Sequence, residues 1–577
     1  MAIKHDPKKS RCAASLAAFF VFFYAISVSP ARGGKTPAHA KNGMVVSTSG
    51  TASGIGREVL QKGGNAVDAA VATAFALAVT WPSAGNIGGG GFLVYHTGDG
   101  AVTTIDFREK APGAAARDMF LAEDGTIRDN ANHSGILAVA VPGTVAGLYK
   151  AHTLYGKKSW SELVEPAVKL ANQGFKMTWG LFFSLKAPWT EQRLKRDPAA
   201  AETFYKKTGQ PYQPGEIWCQ PDLAESLKRI QKSGHNGFYS GVTAEKLAEF
   251  MKKNGGLITL EDLQRYTAVE RTSVHGTYRG YDIYSMPPPS SGGIVLIEML
   301  NILEGYDLRE MGHNSAQYLH LLTETMRRAY ADRARHLGDS DFNPGLPIER
   351  LTSKTYATVL RNSIDRSKAS KSDPALFNTA FESEQTTHFS VVDDQGNAVA
   401  LTYTLEQSYG SAMVAEDLGF LLNNEMGDFN AIPGLTDRDG TIGTLPNLIE
   451  PEKRMLSSMT PAIVAREGNP VLVVGSPGGR TIINTVLQTI LNYIDFNMNV
   501  AEAIEAGRIH HPWLPDTTTV EAWAISPDTE ALYRSMGHEV KYRKFLGRVM
   551  GLSIEHENGI IKGAADSRST DGAATGY

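Results

Sequence analysis

The run Gln385-Thr386-Thr387-His388-Phe389-Ser390-Val391-Val392-Asp393 sets a threonine hydroxyl two residues from a histidine at the start of a hairpin signal. A threonine hydroxyl is a poor nucleophile at neutral pH and needs a base. Were the bond before Thr386 cut, the new α-amine, with a reference pKa of ~8, would supply that base from within the same residue. Hairpin register decides what faces it. A three-residue loop, Asp394-Gln395-Gly396, pairs Asp393 with Asn397, Thr386 with Thr404 and His388 with Thr402. A two-residue loop would put the two threonines on opposite faces. The longer loop is preferred because Gly396 then falls where positive φ is needed. Farther on, an apolar strand at 470–474, the turn Gly475-Ser476-Pro477-Gly478-Gly479 and a helix at 481–493 leave free amides near the positive end of a helix. A tight turn with no further role fits those residues equally well.

Other reactive residues carry less. Cys219 is the only cysteine after Cys12 and has no partner for an internal disulfide, so it is a weak candidate nucleophile. His388 reads as structural, since the amine supplies the base. His510-His511 lacks a further ligand at zinc-site spacing and no His-Glu-x-x-His helix exists, so neither a metal nor another cofactor is expected. Gly88 to Gly91 precede a strand rather than a helix, which argues against a dinucleotide fingerprint.

These residues need a large framework. The chain has 577 residues, 42% hydrophobic and 20% charged, enough for a substantial core. A net charge of −4 offers no basic excess for nucleic acid. Lys4, Lys8, Lys9 and Arg11 precede an apolar run at 13–28, then Ser29-Pro30-Ala31, which reads as a secretory signal peptide over 1–31. Ala38-His39-Ala40 is a second cleavage candidate, and an uncleaved membrane anchor is the lesser alternative. Asn65 as N-cap with Asp68 at N3 opens a helix apolar nearly all round, hence buried, ending near Thr80 before Pro82. Strands are expected at 92–96 and 102–107, with Arg108 at the end of the second. The middle, 138–351, shows mainly helical periodicity, and its charged stretch 324–335 reads as solvated surface. Residues 363–384 form the most mobile interior stretch.

Beyond single motifs, the chain resembles the γ-glutamyltranspeptidases. The likeness rests on 385–393 together with Gly63-Gly64-Asn65-Ala66-Val67-Asp68-Ala69-Ala70, Gly88 to Gly91, Asp106-Phe107-Arg108-Glu109, Pro142-Gly143-Thr144-Val145-Ala146-Gly147, Pro287 to Gly293, Leu456-Ser457-Ser458-Met459, Gly475 to Gly479 and the terminal Thr575-Gly576-Tyr577. It implies an α+β fold, the four-layer αββα sandwich of the N-terminal-nucleophile hydrolases. It also implies a precursor cut between Gln385 and Thr386 into a heavy subunit, 42–385, and a light subunit, 386–577. The implied activity is hydrolysis and transfer of the γ-glutamyl group of glutathione and related donors to water, an amino acid or a dipeptide, in a secreted or periplasmic enzyme without a cofactor.

The resemblance assigns Thr386 as nucleophile, Thr404 as the hydroxyl that orients it, and Gly478 and Gly479 as oxyanion-hole amides. Arg108, Ser457 and Ser458 match the site for the donor's α-carboxylate. Glu406, Glu425 and Asp428 match the α-ammonium site, with Glu406 where the best-known relatives carry Asn. These three carboxylates would repel one another unless the substrate brings a cation. A loop at 435–450 has the length of a lid but lacks an aromatic tip, whose place falls at Asp439. The rival readings are a cephalosporin or glutaryl amidase of the same fold and a catalytically silent binding protein.

Overall fold

The computed structural model describes residues 35–373, 386–435, 437–438, 441 and 443–577. The expected signal peptide, Gln385 and Asp439 lie outside the described residues.

Two seven-stranded antiparallel sheets form the centre. One runs in the order Ala573–Gly576, Met44–Ser47, Thr387–Val392, Ala398–Thr404, Gly90–His96, Val102–Phe107, Val269–Arg271. The other runs Ala38–Ala40, Ile560–Ala565, Met550–Glu555, Asn469–Gly475, Ala462–Arg466, Tyr281–Ser285, Val274–Tyr278. Strand alternation gives each sheet two apolar faces, and three clusters of buried side chains fill the resulting gaps. Between the sheets lie Met44, Val46, Val94, Val392, Ile463, Val473 and Leu552. Outside the first sheet, Leu93, Phe389, Val391 and Leu401 meet the helices Ala66–Thr80 and Trp160–Gln173. Outside the second, Ile283, Val464, Leu472 and Val474 meet Gly292–Leu303, Ala316–His336 and Thr481–Ile494. The result is the αββα sandwich.

The helix Ala66–Thr80 begins with the expected capping box of Asn65 and Asp68 and is buried along its whole length. Its first amide, from Ala66, donates to Asp393 at 2.9 Å. The same carboxylate accepts from Gln395 N and Asn397 N, so one side chain ties the helix start to the hairpin turn. Gly396 has φ of 78°, and the register is the three-residue one: His388 faces Thr402 and Thr387 faces Tyr403.

Several expectations need correction. The strand expected at 92–96 begins earlier, at Gly90, because a Cβ on Gly91 would lie 2.3 Å from the Thr402 carbonyl. Only glycine lets that strand approach the one carrying Thr404. The middle of the chain contributes three sheet strands, Val269–Arg271, Val274–Tyr278 and Tyr281–Ser285, whose mixed polar sequences hide their period. The stretch 324–335 is not solvated: Glu324, Arg327, Asp332 and Arg333 are all buried. Glu324 is held within the helix by Arg327 and Arg328, while Arg327 also reaches Asp516, distant in sequence. Ala38–Ala40 is a paired edge strand, so cleavage after Ala40 would remove it. Up to Asp373, the stretch expected to be mobile is pinned, with Ala369 N donating to Met536 O and Ser372 N to Asp516. Among the described residues no helix is long and apolar enough to cross a membrane, and no cluster of three or more His, Cys, Asp or Glu side chains could hold a metal.

Candidate active site

Thr386 sits just before the strand Thr387–Val392, on the side of the hairpin that faces the second sheet. Its hydroxyl lies 3.5 Å from that of Thr404, which also accepts a 2.9 Å hydrogen bond from Glu406 N. Glu406 takes φ of 76°, a left-handed conformation rare for a non-glycine residue. That bend turns the chain off the strand and sends its carboxylate into the cavity bounded by both threonines.

One cavity collects nearly all the expected site residues. Arg108, Thr386, Thr404, Glu406, Glu425, Asp428, Ser457, Ser458 and Gly479 line it, joined by Met459 and Ile482. Gly478 lines a second cavity, with Pro477, Thr481 and the loop residues 543 and 545–548. Gly478 and Gly479 have φ of 138° and 54°. Their carbonyls accept from Thr481 N and Ile482 N, which starts the helix Thr481–Ile494. Neither glycine N–H finds an acceptor among the described residues, as an oxyanion hole requires.

The charges are arranged differently from expectation. Arg108 is fully buried, and its guanidinium pairs with both Glu425 and Asp428, with Glu109 3.4 Å away. One guanidinium therefore already offsets part of this negative charge from within the chain. An incoming cation is not the only positive charge beside these carboxylates, contrary to expectation. Burial works against the Arg108 charge, but Glu425, Asp428 and Glu109 outweigh it and raise its pKa. Burial pushes Glu109 up to about 7 and Glu425 well above the ordinary carboxylate range, each opposed by Arg108. Glu406 pairs instead with His133 Nδ1 at 3.0 Å. Burial lowers the His133 pKa, yet the carboxylate prevails and the net shift is upward.

Further residues shape the site without being legible beforehand. Asn423 accepts from Ala140 N and Glu425 N and donates to Gly88 O, linking the glycine run to the turn Glu425–Asp428. Arg333 donates to Ser458 Oγ at 3.0 Å and to Ser291 Oγ at 2.8 Å, so a residue read as surface supports the serine pair. Asn447, inside the loop expected to be a lid, donates to Asp428 O at 2.7 Å and accepts from Leu456 N at 2.8 Å. The end of that loop is thus part of the site wall. No signal in the sequence singles out His133 or Asn447, because each matters only through a partner far along the chain.

His388 lies between the sheets, and burial drives its pKa down to about 3, leaving it neutral. Its Nδ1 is 2.7 Å from Thr402 Oγ1 and its Nε2 3.1 Å from Ser390 Oγ, whose hydroxyl faces the Val473 and Met550 carbonyls. It is a structural residue, as expected. Cys219 is exposed and does not line this cavity.

Residues 52–576 match the family model described as Gamma-glutamyltranspeptidase. The chain is 46% identical over 544 residues to the glutathione hydrolase proenzyme of Escherichia coli strain K12, covering 94% of this chain and 93% of that one. Among solved structures, a cephalosporin acylase from Bacillus halodurans superposes with a TM-score of 0.81 at 25% identity, over 96% of this chain and 99% of the other. The γ-glutamyltranspeptidase of Helicobacter pylori is 44% identical, covers 56% of this chain and 91% of its own, and has a TM-score of 0.54. A threonine pair beside two glycine amides that have no acceptor among the described residues, within a sandwich shared with these proteins and a sequence match spanning nearly the whole chain, leads to one assignment: the protein belongs to the γ-glutamyltranspeptidase family.

Proposed function

We propose that this chain is a self-processing γ-glutamyl hydrolase and transferase with Thr386 as its nucleophile, acting on glutathione and related donors. In maturation the Thr386 hydroxyl adds to the carbonyl of Gln385 and the C–N bond breaks, leaving an ester and a free Thr386 amine. Water then cleaves the ester, giving a heavy subunit that ends at Gln385 and a light subunit, 386–577. In turnover the same oxygen attacks the donor's γ-carbonyl while the amine takes the hydroxyl proton. The Gly478 and Gly479 amides receive the negative charge on the carbonyl oxygen, and Thr404 orients the attacking hydroxyl. The amine passes its proton to the leaving nitrogen as the C–N bond breaks. Water, an amino acid or a dipeptide then attacks the γ-glutamyl ester, and Thr386 regains its hydroxyl proton.

The donor's α-carboxylate meets Arg108, Ser457 and Ser458, while its α-ammonium meets Glu406, Glu425 and Asp428. Since Arg108 already holds two of those carboxylates, the zwitterion inserts by exchanging partners, each of its charges replacing one the protein had supplied. The observation that carries this reading is the convergence of Thr386, Thr404, Gly479, Arg108 and the three carboxylates on one cavity. The amino-terminal segment 1–31 supports export to the periplasm or cell exterior.

Intact mass with N-terminal sequencing, followed by a γ-glutamyl anilide assay, tests the proposal. A fragment beginning at Thr386 is expected from the wild type, and Thr386→Ala should stay uncut and inactive. A pure Ala variant that still processes itself would refute self-cleavage by this hydroxyl. The structural likeness to a cephalosporin acylase keeps a glutaryl amidase as the second reading.

A further inference from the structure

The Gly478–Gly479 turn separates two cavities of opposite charge. The one that reaches Gly479 contains Glu406, Glu425 and Asp428 around Arg108. The one that reaches Gly478 contains Arg543, Phe545, Arg548 and Thr481 and has no carboxylate in its lining. A scissile carbonyl held at the two glycine amides has its γ-glutamyl arm in the acidic cavity. Its nitrogen substituent must leave on another side of the carbonyl carbon, and the basic cavity adjoins the same turn through Gly478.

Arg548 is built into that space. Its backbone N–H donates to Ser476 Oγ at 2.9 Å, which fixes its loop to the same turn. The preceding Gly547 lies so close that a Cβ there would be 2.6 Å from Ser476 Oγ, and a Cβ on Gly478 would be 3.4 Å from the Gly547 Cα. The Arg548 guanidinium stacks over Phe545, 4.7 Å from the ring centroid. Among the described residues it has no ion pair, in contrast to Arg108, Arg508 and Arg568, each of which holds at least one carboxylate. Burial lowers its pKa, with only the more distant Asp566 opposing. A half-buried cation left uncompensated by its own chain is suited to an anionic ligand.

Resting on the γ-glutamyl reading above, we propose that Arg548, stacked on Phe545 and flanked by Arg543, forms the subsite for the carboxylate of the amine partner. That partner is the leaving dipeptide of a γ-glutamyl peptide or the acceptor amino acid or dipeptide that replaces it. One cation serves both because departure and attack occur along the same path at the same carbonyl carbon. The two cavities then divide a zwitterionic acceptor by charge: its carboxylate is drawn to Arg548 and its amine is left facing the acyl group.

The test measures transfer from γ-glutamyl-p-nitroanilide, whose leaving group carries no carboxylate, to glycylglycine and to glycylglycinamide. The wild type should favour glycylglycine by at least ~10-fold in acceptor kcat/KM, the yield of one charge-assisted contact. Arg548→Met should reduce that preference to within about threefold of unity, and Arg548→Lys, which keeps the charge, should retain most of it. A preference unchanged in Arg548→Met overturns the proposal. So does a parallel fall with both acceptors, which would mark Arg548 as a support for the glycine turn only. A wild type that releases nitroaniline but distinguishes neither acceptor also overturns it. A wild type that releases no nitroaniline refutes instead the γ-glutamyl reading.

Discussion

Substituting Asp428 by Asn asks whether the acidic cavity is tuned to a zwitterion. Asp428 and Glu425 share Arg108, while Glu406 is paired with His133. A γ-glutamyl donor adds one carboxylate and one ammonium, so the charge balance of the cavity is unchanged. A glutaryl donor adds only the carboxylate and must separate Arg108 from its partners with nothing to replace it. Each charge-assisted hydrogen bond is worth ~1.5 to 3 kcal/mol. With the ammonium facing at least two carboxylates, discrimination should be at least ~10²-fold in kcat/KM. Asn at 428 keeps an oxygen for Arg108 but gives up one charge facing the ammonium. The preference should therefore drop ~10-fold or more, chiefly by slowing the γ-glutamyl donor. The assay compares γ-glutamyl and glutaryl anilides side by side on the wild type and on Asp428→Asn. An unchanged ratio in the variant would refute the charge argument, and equal wild-type rates would favour the amidase reading.

The His133–Glu406 pair should appear in the pH dependence of stability. Because the folded pKa of His133 is raised, its contribution is fully present below the unfolded value of ~6.5 and is lost as pH rises through the folded value. The Tm gap between wild type and Glu406→Gln should accordingly be widest near pH ~6 and narrow toward pH ~9, and a gap independent of pH would contradict this. Asn447→Ala removes the bonds to Asp428 O and Leu456 N. It should raise the donor KM about tenfold while changing kcat less, and an unaltered KM would show that Asp428 is held by other contacts.

What the sequence made legible was local. The hairpin register followed from Gly396, the only residue of its loop suited to positive φ, and the helix start followed from Asn65 and Asp68 three residues apart. The turn at Gly478-Gly479 was visible for the same reason: glycine there is demanded by backbone geometry, independent of the rest of the fold. Pairings across long separations left no such trace. Arg108 meets Glu425 and Asp428 after more than 300 intervening residues, and the buried charges of 324–335 match the pattern of a solvated helix until their partners are known. The polar strands Val274–Tyr278 and Tyr281–Ser285 lack the apolar alternation of an amphipathic strand, since their positions near a sheet edge leave much of them open to solvent. Family resemblance pointed to Arg108 and the acidic trio, yet not to the ion pairs of Arg108 with Glu425 and Asp428 or of Glu406 with His133.

The first sheet places Met44–Ser47 between Ala573–Gly576 and Thr387–Val392, and Ala398–Thr404 beside Gly90–His96. A cut before Thr386 thus yields two polypeptides woven through each other, with segments of each on both sides of segments of the other. Severing the chain releases neither piece, because separation would break ladders on several strands at once. Refolding changes character as well. The uncut chain finds its partners at a fixed effective concentration, whereas two unfolded fragments must meet by diffusion and then interleave in the correct order. A protein cut there would be preserved by slow unfolding more than by a reversible equilibrium, and its heat inactivation should be one-way even where that of the uncut precursor is not.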